Sequence, residues 1–269
     1  MQIRIDDDFD LQKIKNSGQC FRIKKFDDGT YRFITGTHIL YIKALGNNVY
    51  EVSCSKDDWD SIWIKYFDLD RNYKELRQSL YGINSYVDEA INAGVGLRIL
   101  RQNPFETLVS FIIAQRKSIK AIEKSVDQLC TFYGKAVPTS YEESVSLFPS
   151  VFDLHNCDEQ DLLDCSLGYR ADYIIDTVDS IYNNKTVLYD LEGCKTSKLL
   201  EQLQKYRGVG IKIASCVALF GFGRFDCVPV DVWIQRVIDE EFNGVNLFDK
   251  YGDNAGIIQQ YVYMYKRGV

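Results

Sequence analysis

The apolar residues of this chain change their spacing once, near residue 70, and that change limits the folds the chain can adopt. Before it, segments rich in Tyr, Phe, Ile and Val are separated by two turn signals, Asp27–Gly29 and Gly46–Asn48. Beyond it, apolar residues recur at the three- and four-residue spacing of amphipathic helices. The sequence therefore predicts an α+β N-terminal antiparallel sheet domain, residues 1–85. An all-α domain, residues 86–269, follows, and its first helices can also pack with the N-terminal part.

Individual elements are predicted from the same patterns. We expect strands at Phe21–Phe26, Tyr31–Leu45 and Val49–Cys54, and a helix over Trp59–Tyr66 that covers the sheet. A further helix begins at Asn103, because an N-cap residue followed by Pro104 and Glu106 is typical of a first helical turn. The remaining predicted helices are 118–134, Asp158–Cys165, Arg170–Tyr182, Thr196–Tyr206, Ile211–Phe220, Val232–Glu240 and Asn254–Tyr265.

Composition excludes several classes of protein. The 269 residues are 46% hydrophobic and 26% charged, which is typical of a globular chain with a sizeable core. The acidic N-terminus has no apolar stretch of the kind a secretory signal needs, and no uncharged apolar run is long enough to span a membrane. The eight cysteines are scattered without a CxxC pair, and there are only two histidines, so we expect reduced thiols and no metal site. We expect a cytoplasmic monomer.

The net charge of the chain counts against a nucleic-acid partner. It is −6, and the acidic excess falls in residues 86–269. Domains that bind nucleic acids are commonly basic. Any phosphate binding must therefore depend on local groups, namely backbone N–H groups, helix N-termini and a few placed cations.

The most informative stretch is Leu199–Cys216, in which the turn Gly208-Val209-Gly210 joins two amphipathic helices. Such a turn allows a tight hairpin, and the free N–H groups at the start of the second helix attract a phosphate. These are the properties of a helix-hairpin-helix DNA clamp. A plain αα-turn that needs glycine at a helix C-cap is the alternative interpretation.

Two charged residues near this hairpin are candidates for catalysis. Lys212 lies in the first turn of the second helix, where it is either a solvated surface lysine or a desolvated amine nucleophile. Asp231 precedes the apolar stripe of the next predicted helix, where it is either an N-cap alone or also a carboxylate that stabilises a sugar cation. Capping serves both roles, because N–H donors favour the charged form of a carboxylate.

Together these features resemble the helix-hairpin-helix DNA glycosylase superfamily, and within it the 8-oxoguanine DNA glycosylase/lyase family. The resemblance rests on the hairpin, Lys212 and the run Val228–Asp231, and it continues over nearly the whole chain. Further matching blocks are Ser17–Arg22, Leu100–Pro104, Ser110–Ile112, Leu167–Ala171, Tyr251–Gly252, Ala255–Gly256 and Gln259. The resemblance implies that residues 86–269 form a helix-hairpin-helix glycosylase domain. It also implies base excision repair by a bifunctional enzyme that flips 8-oxoguanine from duplex DNA, excises it and nicks the strand by β-elimination.

The resemblance also implies a catalytic and a base-recognition role for particular positions. Lys212 would attack the deoxyribose C1′ and form a Schiff base, while Asp231 would stabilise the sugar cation. The Gly18 carbonyl would accept a hydrogen bond from N7–H, which 8-oxoguanine has and guanine lacks. The remaining pocket residues would be Cys216 and Tyr263, which sandwich the base, Gln259, which reads its Watson–Crick edge, and the Pro229 carbonyl. Taken alone, Cys216 is equally a core thiol and Gln259 a surface residue.

For the DNA itself, the resemblance assigns Tyr169 as a wedge in the base stack and Arg170 as a contact to the orphaned partner base. The Gly208, Val209 and Gly210 hairpin would hold the backbone. Two positions depart from the animal enzymes of the family. Gln115-Arg116-Lys117-Ser118 stands in place of an asparagine-rich turn that reads the opposite cytosine, and Trp233 replaces a histidine near the backbone. We therefore expect weaker discrimination for cytosine opposite the lesion than the animal enzymes show.

No cofactor is expected, because nothing like a C-x6-C-x2-C-x5-C iron–sulfur cluster follows Cys227. Carbonyls of the hairpin could hold a monovalent cation, although no side-chain motif indicates one. The expected partner is double-stranded DNA containing 8-oxoguanine, and the residue usage indicates a bacterial source, with the protein at the nucleoid when bound. The alternatives are a glycosylase for alkylated or mismatched bases and a non-catalytic DNA-binding module. The module would need neither Lys212 nor Asp231.

Overall fold

The N-terminal part of the chain is built on a five-stranded antiparallel sheet. The computed structural model describes residues 1–139, 141, 144–183 and 187–268. Its strands are β1 (Gln2–Arg4), β2 (Lys24–Lys25), β3 (Tyr31–Thr35), β4 (His38–Gly46) and β5 (Val49–Val52). They lie in the order β1-β5-β4-β3-β2, and every neighbouring pair is antiparallel. Two further strands, β6 (Ala136–Pro138) and β7 (Ser144–Ser146), form a small separate hairpin.

Two strand predictions were wrong in detail. The predicted strand Tyr31–Leu45 is a hairpin, because Gly36 adopts a φ of +55° and the chain reverses between paired Thr35 and His38. Four consecutive non-apolar residues, Thr35–His38, separate the two apolar runs, so the sequence marks the turn and the prediction overlooked it. The predicted strand Phe21–Phe26 is reduced to β2, and β1 was missed because three residues give too short a pattern.

The sheet is covered by a short helix at the chain start and by a helical segment after β5. That segment contains the predicted Trp59–Tyr66 helix, with Trp59, Trp63 and Tyr66 buried, although its middle is a π-helical turn over Trp59–Trp63. The helices of this part are α1 (Leu11–Asn16), α2 (Lys56–Asp58), α3 (Ile64–Tyr66), α4 (Tyr73–Ser79) and α5 (Ser85–Ala93).

Helices make up most of the remaining chain, as the spacing of its apolar residues predicts. The side chain of Asn103 accepts hydrogen bonds from the N–H groups of Phe105 and Glu106, which confirms the predicted helix start, and Ser118 caps the next helix. These helices are α6 (Pro104–Ile113), α7 (Ile119–Tyr133), α8 (Val151–His155), α9 (Glu159–Asp164), α10 (Arg170–Asn183), α11 (Val187–Asp190), α12 (Thr196–Leu203), α13 (Ile211–Phe222), α14 (Val232–Glu240) and α15 (Ala255–Arg267).

Two large apolar cores hold the elements together, and a small third cluster consists of Ile34, Val145 and Leu147. One lies under the sheet and draws on residues from Ile5 to Phe67 and on Leu100. The other is helical, and α13 runs through it with every residue from Ile213 to Phe220 buried. Helix α6 packs on α13, and α5 packs on α15. Among the described residues, no helix is both long enough and apolar enough to cross a membrane.

Candidate active site

The hairpin between α12 and α13 leaves a bare helix N-terminus at the protein surface. Gly208 has a φ of +77°, and a Cβ there would lie 2.3 Å from Cδ2 of Tyr173, so only glycine fits. Val209 is buried beneath the turn. Gly210 is the N-cap of α13 and contributes no side-chain hydrogen bond. The N–H of Ala214 is the first to reach a carbonyl, that of Gly210 at 3.0 Å, so the N–H groups before it lack an intrahelical acceptor.

Lys212 lies in this first turn and is half-buried, so it is not a fully solvated surface lysine. Its Nζ stands 5.4 Å from the ring centre of Phe111, and its ammonium group faces the thiol of Cys216 one helical turn further on. Burial raises the pKa of the Cys216 thiol, with Lys212 lowering it and Asp231 raising it. The amine and the carboxylate therefore act on the same buried thiol.

Asp231 caps the next helix, α14. One carboxylate oxygen, Oδ1, accepts hydrogen bonds from the N–H groups of Trp233 at 3.0 Å and Ile234 at 2.9 Å. Its other oxygen, Oδ2, has no hydrogen-bond partner within the part of the chain that the structure describes. The cap thus fixes the carboxyl group by one oxygen and leaves the second exposed to whatever enters the cleft.

A cleft of about 1200 Å³ joins the residues that the sequence selects for catalysis and base recognition. The residues that line the wall of this cleft include Gly18, Lys212, Cys216, Pro229, Asp231, Gln259 and Tyr263. The cleft exceeds the volume of one purine base, and it lies where the N-terminal part, α13, α14 and α15 meet. The structure therefore brings together residues that lie up to 245 positions apart in the sequence.

Gln259 belongs to the interior of the protein and is not a surface residue. It is 2% exposed, and its side-chain carbonyl accepts a hydrogen bond of 3.0 Å from the Gln260 amide. One turn along α15, Tyr263 lies within van der Waals reach of Gly18, since a Cβ on Gly18 would be 3.4 Å from the Tyr263 hydroxyl. Gly18 itself has a φ of +74°.

Most of the predicted DNA-facing residues lie around this cleft. Gln115, Arg116, Lys117, Gly208, Gly210 and Trp233 line its rim. Tyr169 does not line the cleft, but its side chain is 49% exposed, which suits a residue that must enter a base stack. It follows Gly168 in the turn before α10 and packs edge-on against Tyr173.

Two cations at this rim are committed to the protein itself. Lys117 donates 2.6 Å hydrogen bonds to the Ser125 hydroxyl and to the Ser166 carbonyl, and burial together with Arg170 lowers the pKa of Lys117. Arg170 is buried and donates through Nε, at 2.9 Å, and Nη2 to the carbonyl of Gln115. The pair ties the turn at 115–117 to the turn that carries Tyr169.

Arg116 differs from these two neighbours. It is exposed, has a φ of +51°, and makes no hydrogen bond or ion pair among the residues that the structure describes. Its guanidinium is therefore free to contact a bound molecule. Trp233, half-buried at the start of α14, carries Arg236 5.3 Å above its ring centre.

Sequence reasoning missed three residues at the site. Phe111, stacked on Phe220 at 5.6 Å, forms the floor beneath Lys212. Arg267 donates a 3.1 Å hydrogen bond to the Tyr263 hydroxyl, and its position four residues after Tyr263 on α15 would have indicated the contact. Gln19 is buried beside Gly18, and nothing in a sequence pattern distinguishes it from a surface glutamine. Among the described residues, no group of His, Cys, Asp or Glu side chains is arranged to hold a metal.

Comparison with known families divides the chain into two matched parts. Residues 2–108 match the N-terminal domain of 8-oxoguanine DNA glycosylase, and residues 109–244 match the HhH-GPD superfamily of base excision DNA repair proteins. The N-glycosylase/DNA lyase of Saccharomyces cerevisiae is 34% identical over 190 residues, which are 66% of this chain and 50% of the yeast protein. The chain spans between about half and two thirds of the length of the curated relatives it matches.

Solved structures match over almost the full length. The structure of MBOgg1 with a low-affinity DNA ligand has a TM-score of 0.94 at 34% identity and covers 99% of this chain and 95% of that one. The 8-oxoguanine glycosylase/lyase of Clostridium acetobutylicum, in complex with double-stranded DNA containing cytosine opposite 8-oxoG, has a TM-score of 0.93 at 31% identity. That match covers 99% of this chain and 94% of the clostridial one.

Proposed function

The chain belongs to the HhH-GPD superfamily of base excision DNA repair proteins and carries the N-terminal domain of 8-oxoguanine DNA glycosylases, and from this premise we propose that it is a bifunctional 8-oxoguanine DNA glycosylase and lyase. The observation that carries the proposal is the pairing of Lys212 and Asp231 in one cleft of purine-accommodating size. A cleft for DNA binding alone would need neither group.

Lys212 is the nucleophile in this proposal. Its neutral amine attacks C1′ of the damaged nucleotide, the C1′–N9 bond breaks, and the base leaves with that bond's electron pair and takes up a proton. The resulting N,O-acetal opens by cleavage of the C1′–O4′ bond, O4′ takes up the proton that Nζ released on attack, and a protonated Schiff base forms between Nζ and C1′. Loss of a 2′ proton then breaks the C3′–O bond, which nicks the strand on the 3′ side. The apolar floor at Phe111 and the half-buried position support a desolvated amine.

Asp231 stabilises the positive charge that develops on the sugar as the base departs. Its Oδ2 is free for this task because Oδ1 alone satisfies the helix cap. A carboxylate held in advance by two N–H donors needs little rearrangement during the reaction.

The base pocket recognises the flipped base from three sides. The Gly18 carbonyl accepts the N7–H of 8-oxoguanine, and it would face the N7 lone pair of guanine, which leaves a buried polar group unpaired. Cys216 and Tyr263 lie against the two faces of the base. Gln259 reads its Watson–Crick edge, and the Pro229 carbonyl completes the wall. The burial of Gln259 and Cys216 supports these roles, since both are almost fully buried and yet line the cleft.

The duplex is held by local groups, as the acidic net charge requires. Beside the hairpin Gly208–Gly210, the N–H groups in the first turn of α13 that lack an intrahelical acceptor bind a backbone phosphate of the lesion strand, and Tyr169 wedges into the stack. Arg116 and Gln115 contact the opposite strand, with Trp233 near the backbone. Arg170 and Lys117 contribute by fixing the turns that carry these residues, since their donors are occupied. The protein acts in the cytoplasm as a monomer and without a cofactor.

Borohydride trapping tests the proposal. The protein is incubated with a duplex holding one 8-oxoguanine, reduced, and examined for a covalent protein–DNA adduct. We expect trapping by the unaltered protein and by the matched control Lys198→Gln, an exposed lysine on α12. Lys212→Gln should lose trapping by more than about a thousandfold while it still binds the duplex. Trapping by Lys212→Gln would show that the nucleophile is another amine. Binding without trapping by the unaltered protein would favour a non-catalytic module.

A further inference from the structure

Gln19, next to Gly18, makes an unusually complete set of hydrogen bonds for a buried side chain. It is 1% exposed. Its amide nitrogen donates to the Ser17 hydroxyl and to the Arg98 carbonyl, each at 2.8 Å. Its amide oxygen accepts from the N–H of Leu100 at 2.6 Å. Gln19 is not among the residues that line the cleft, so its amide bonds hold the protein itself.

These bonds fasten the chain on both sides of Gly18. On one side, the Ser17 hydroxyl that accepts from Gln19 donates to the carbonyl of Ile14, at the end of α1. On the other side, the Gln19 backbone carbonyl accepts a 2.7 Å hydrogen bond from the Gln102 side chain. The Gln19 amide therefore ties the segment at 17–19 to Arg98 and Leu100, and the Ser17 hydroxyl and the Gln19 backbone carbonyl extend this network to α1 and to Gln102.

The geometry of Gly18 makes such a tie necessary. The Gly18 carbonyl and the Gln19 N–H belong to one planar peptide unit, so fixing Gln19 restricts the rotation of that carbonyl. Gly18, with a φ of +74°, has no Cβ to limit its own backbone. A carbonyl that must distinguish N7–H from a lone pair depends on its direction, because hydrogen bonds weaken steeply away from linearity.

We propose that Gln19 is a positioning residue that aims the Gly18 carbonyl and thereby sets the preference for 8-oxoguanine over guanine. This rests on the proposed function, and in particular on the Gly18 carbonyl as the acceptor of N7–H. Glutamine suits the position because its amide supplies two donors and an acceptor at one site. Methionine has a similar volume and supplies neither, and glutamate would place an oxygen against the Arg98 carbonyl.

The experiment measures binding in a background that cannot cut. In Lys212→Gln protein, dissociation constants are measured for duplexes that hold 8-oxoguanine, guanine or a tetrahydrofuran abasic analogue opposite cytosine. The test variant is Gln19→Met. The matched control is Tyr73→Phe. It removes a buried hydroxyl that donates to Asp68 at 2.9 Å and accepts from the N–H of Ile99 at 3.2 Å. Ile99 belongs to the same 98–102 segment that Gln19 binds, but this bond does not involve the chain around Gly18.

We expect Gln19→Met to reduce the 8-oxoguanine-to-guanine affinity ratio about tenfold, which corresponds to one lost or misdirected hydrogen bond at about 1.4 kcal/mol. Affinity for the abasic analogue should stay within about twofold, because no base is present for the carbonyl to read. Tyr73→Phe should leave the ratio unchanged. If Gln19→Met does not fold, Gln102→Met removes one of the four bonds and should lower the ratio about threefold.

An unchanged ratio in Gln19→Met or Gln102→Met, with the variant folded, overturns the positioning role. An equal loss of affinity for all three duplexes also overturns it, since that is the mark of general destabilisation. Failure of the proposed function is distinct, because the Lys212→Gln background would then bind neither the lesion duplex nor the abasic analogue in preference to undamaged DNA.

Discussion

The first turns of α13 and α14 face the same cleft, but they treat their backbone N–H groups in opposite ways. At α13 the N-cap is Gly210, which has no side chain to offer, and the N–H groups stay open. At α14 the N-cap is Asp231, whose Oδ1 accepts from two of them. One helix end therefore keeps its positive partial charge for an external anion, while the other uses that charge to hold a carboxylate of its own.

Under the proposed function, the difference explains how a chain with a net charge of −6 would hold DNA and still place an anion beside the reacting sugar. The open end would attract phosphate without any basic side chain. The capped end neutralises part of the repulsion that a bare carboxylate would cause. Exchanging these properties between the two ends is the most direct way to test the comparison.

The largest effect is expected from Asp231→Asn. Asparagine is about as good an N-cap as aspartate, so the melting temperature should change little. The lost charge should slow excision of 8-oxoguanine at least about a hundredfold, in line with the removal of one electrostatic stabiliser. Single-turnover excision and thermal melting are the measurements. Excision within threefold of the unaltered protein would mean that Asp231 serves only as a cap.

The next effect is expected from Gly210→Asp, which gives α13 the cap that α14 has. The φ of −84° suits any residue and a Cβ there meets nothing within 4 Å, so aspartate fits. It should stabilise the protein by about 1 kcal/mol and weaken DNA binding about tenfold. Gly210→Ala is the control, with equal space but no charge. Retained affinity for DNA in Gly210→Asp, measured by titration at low salt, would argue against phosphate binding at this end.

The smallest effect concerns the DNA strand opposite the lesion, which the N-termini of α13 and α14 do not contact in the proposed complex. Of the three cations at positions 116, 117 and 170, Lys117 and Arg170 donate to the protein, and Arg116 does not. Arg116 lies in the segment that stands in place of the asparagine-rich turn. We therefore expect excision rates opposite cytosine, adenine, guanine and thymine to differ by only about fivefold, since a single flexible contact discriminates by about 1 kcal/mol. Arg116→Ala should narrow this range further. A steep preference for cytosine would contradict the prediction.

Local signals in the sequence were enough to predict most of the helices. Asn103, Ser118 and Asp231 each cap the helix they were expected to begin, because capping depends on a few consecutive residues. The glycine hairpin was predictable for the same reason. The two-residue turn at Gly36 was also marked, by the non-apolar run Thr35–His38, but the prediction joined the apolar runs on either side into one strand.

The candidate site was predictable as a set of residues but not as a set of contacts. Resemblance selected Lys212, Asp231 and Gly18, and the fold brings all three to one cleft. Whether a cation reaches outward or inward depends on tertiary packing, and Arg170 donates inward to a carbonyl that lies 55 residues away in the chain. The bonds of Gln19 to Arg98, Leu100 and Gln102 span 79 to 83 residues and leave no local trace in the sequence.

Helix α13, which carries Lys212 on its first turn, is also the helix that the core encloses most completely, from Ile213 to Phe220. Amides in such a segment exchange with solvent hydrogen only when the whole domain opens, whereas ends and loops open on their own. Lys212, the proposed nucleophile, therefore stands directly before a segment whose amides we expect to exchange slowly. Heat or denaturant should abolish activity in the same transition that melts the domain, and not through an earlier loosening around the cleft.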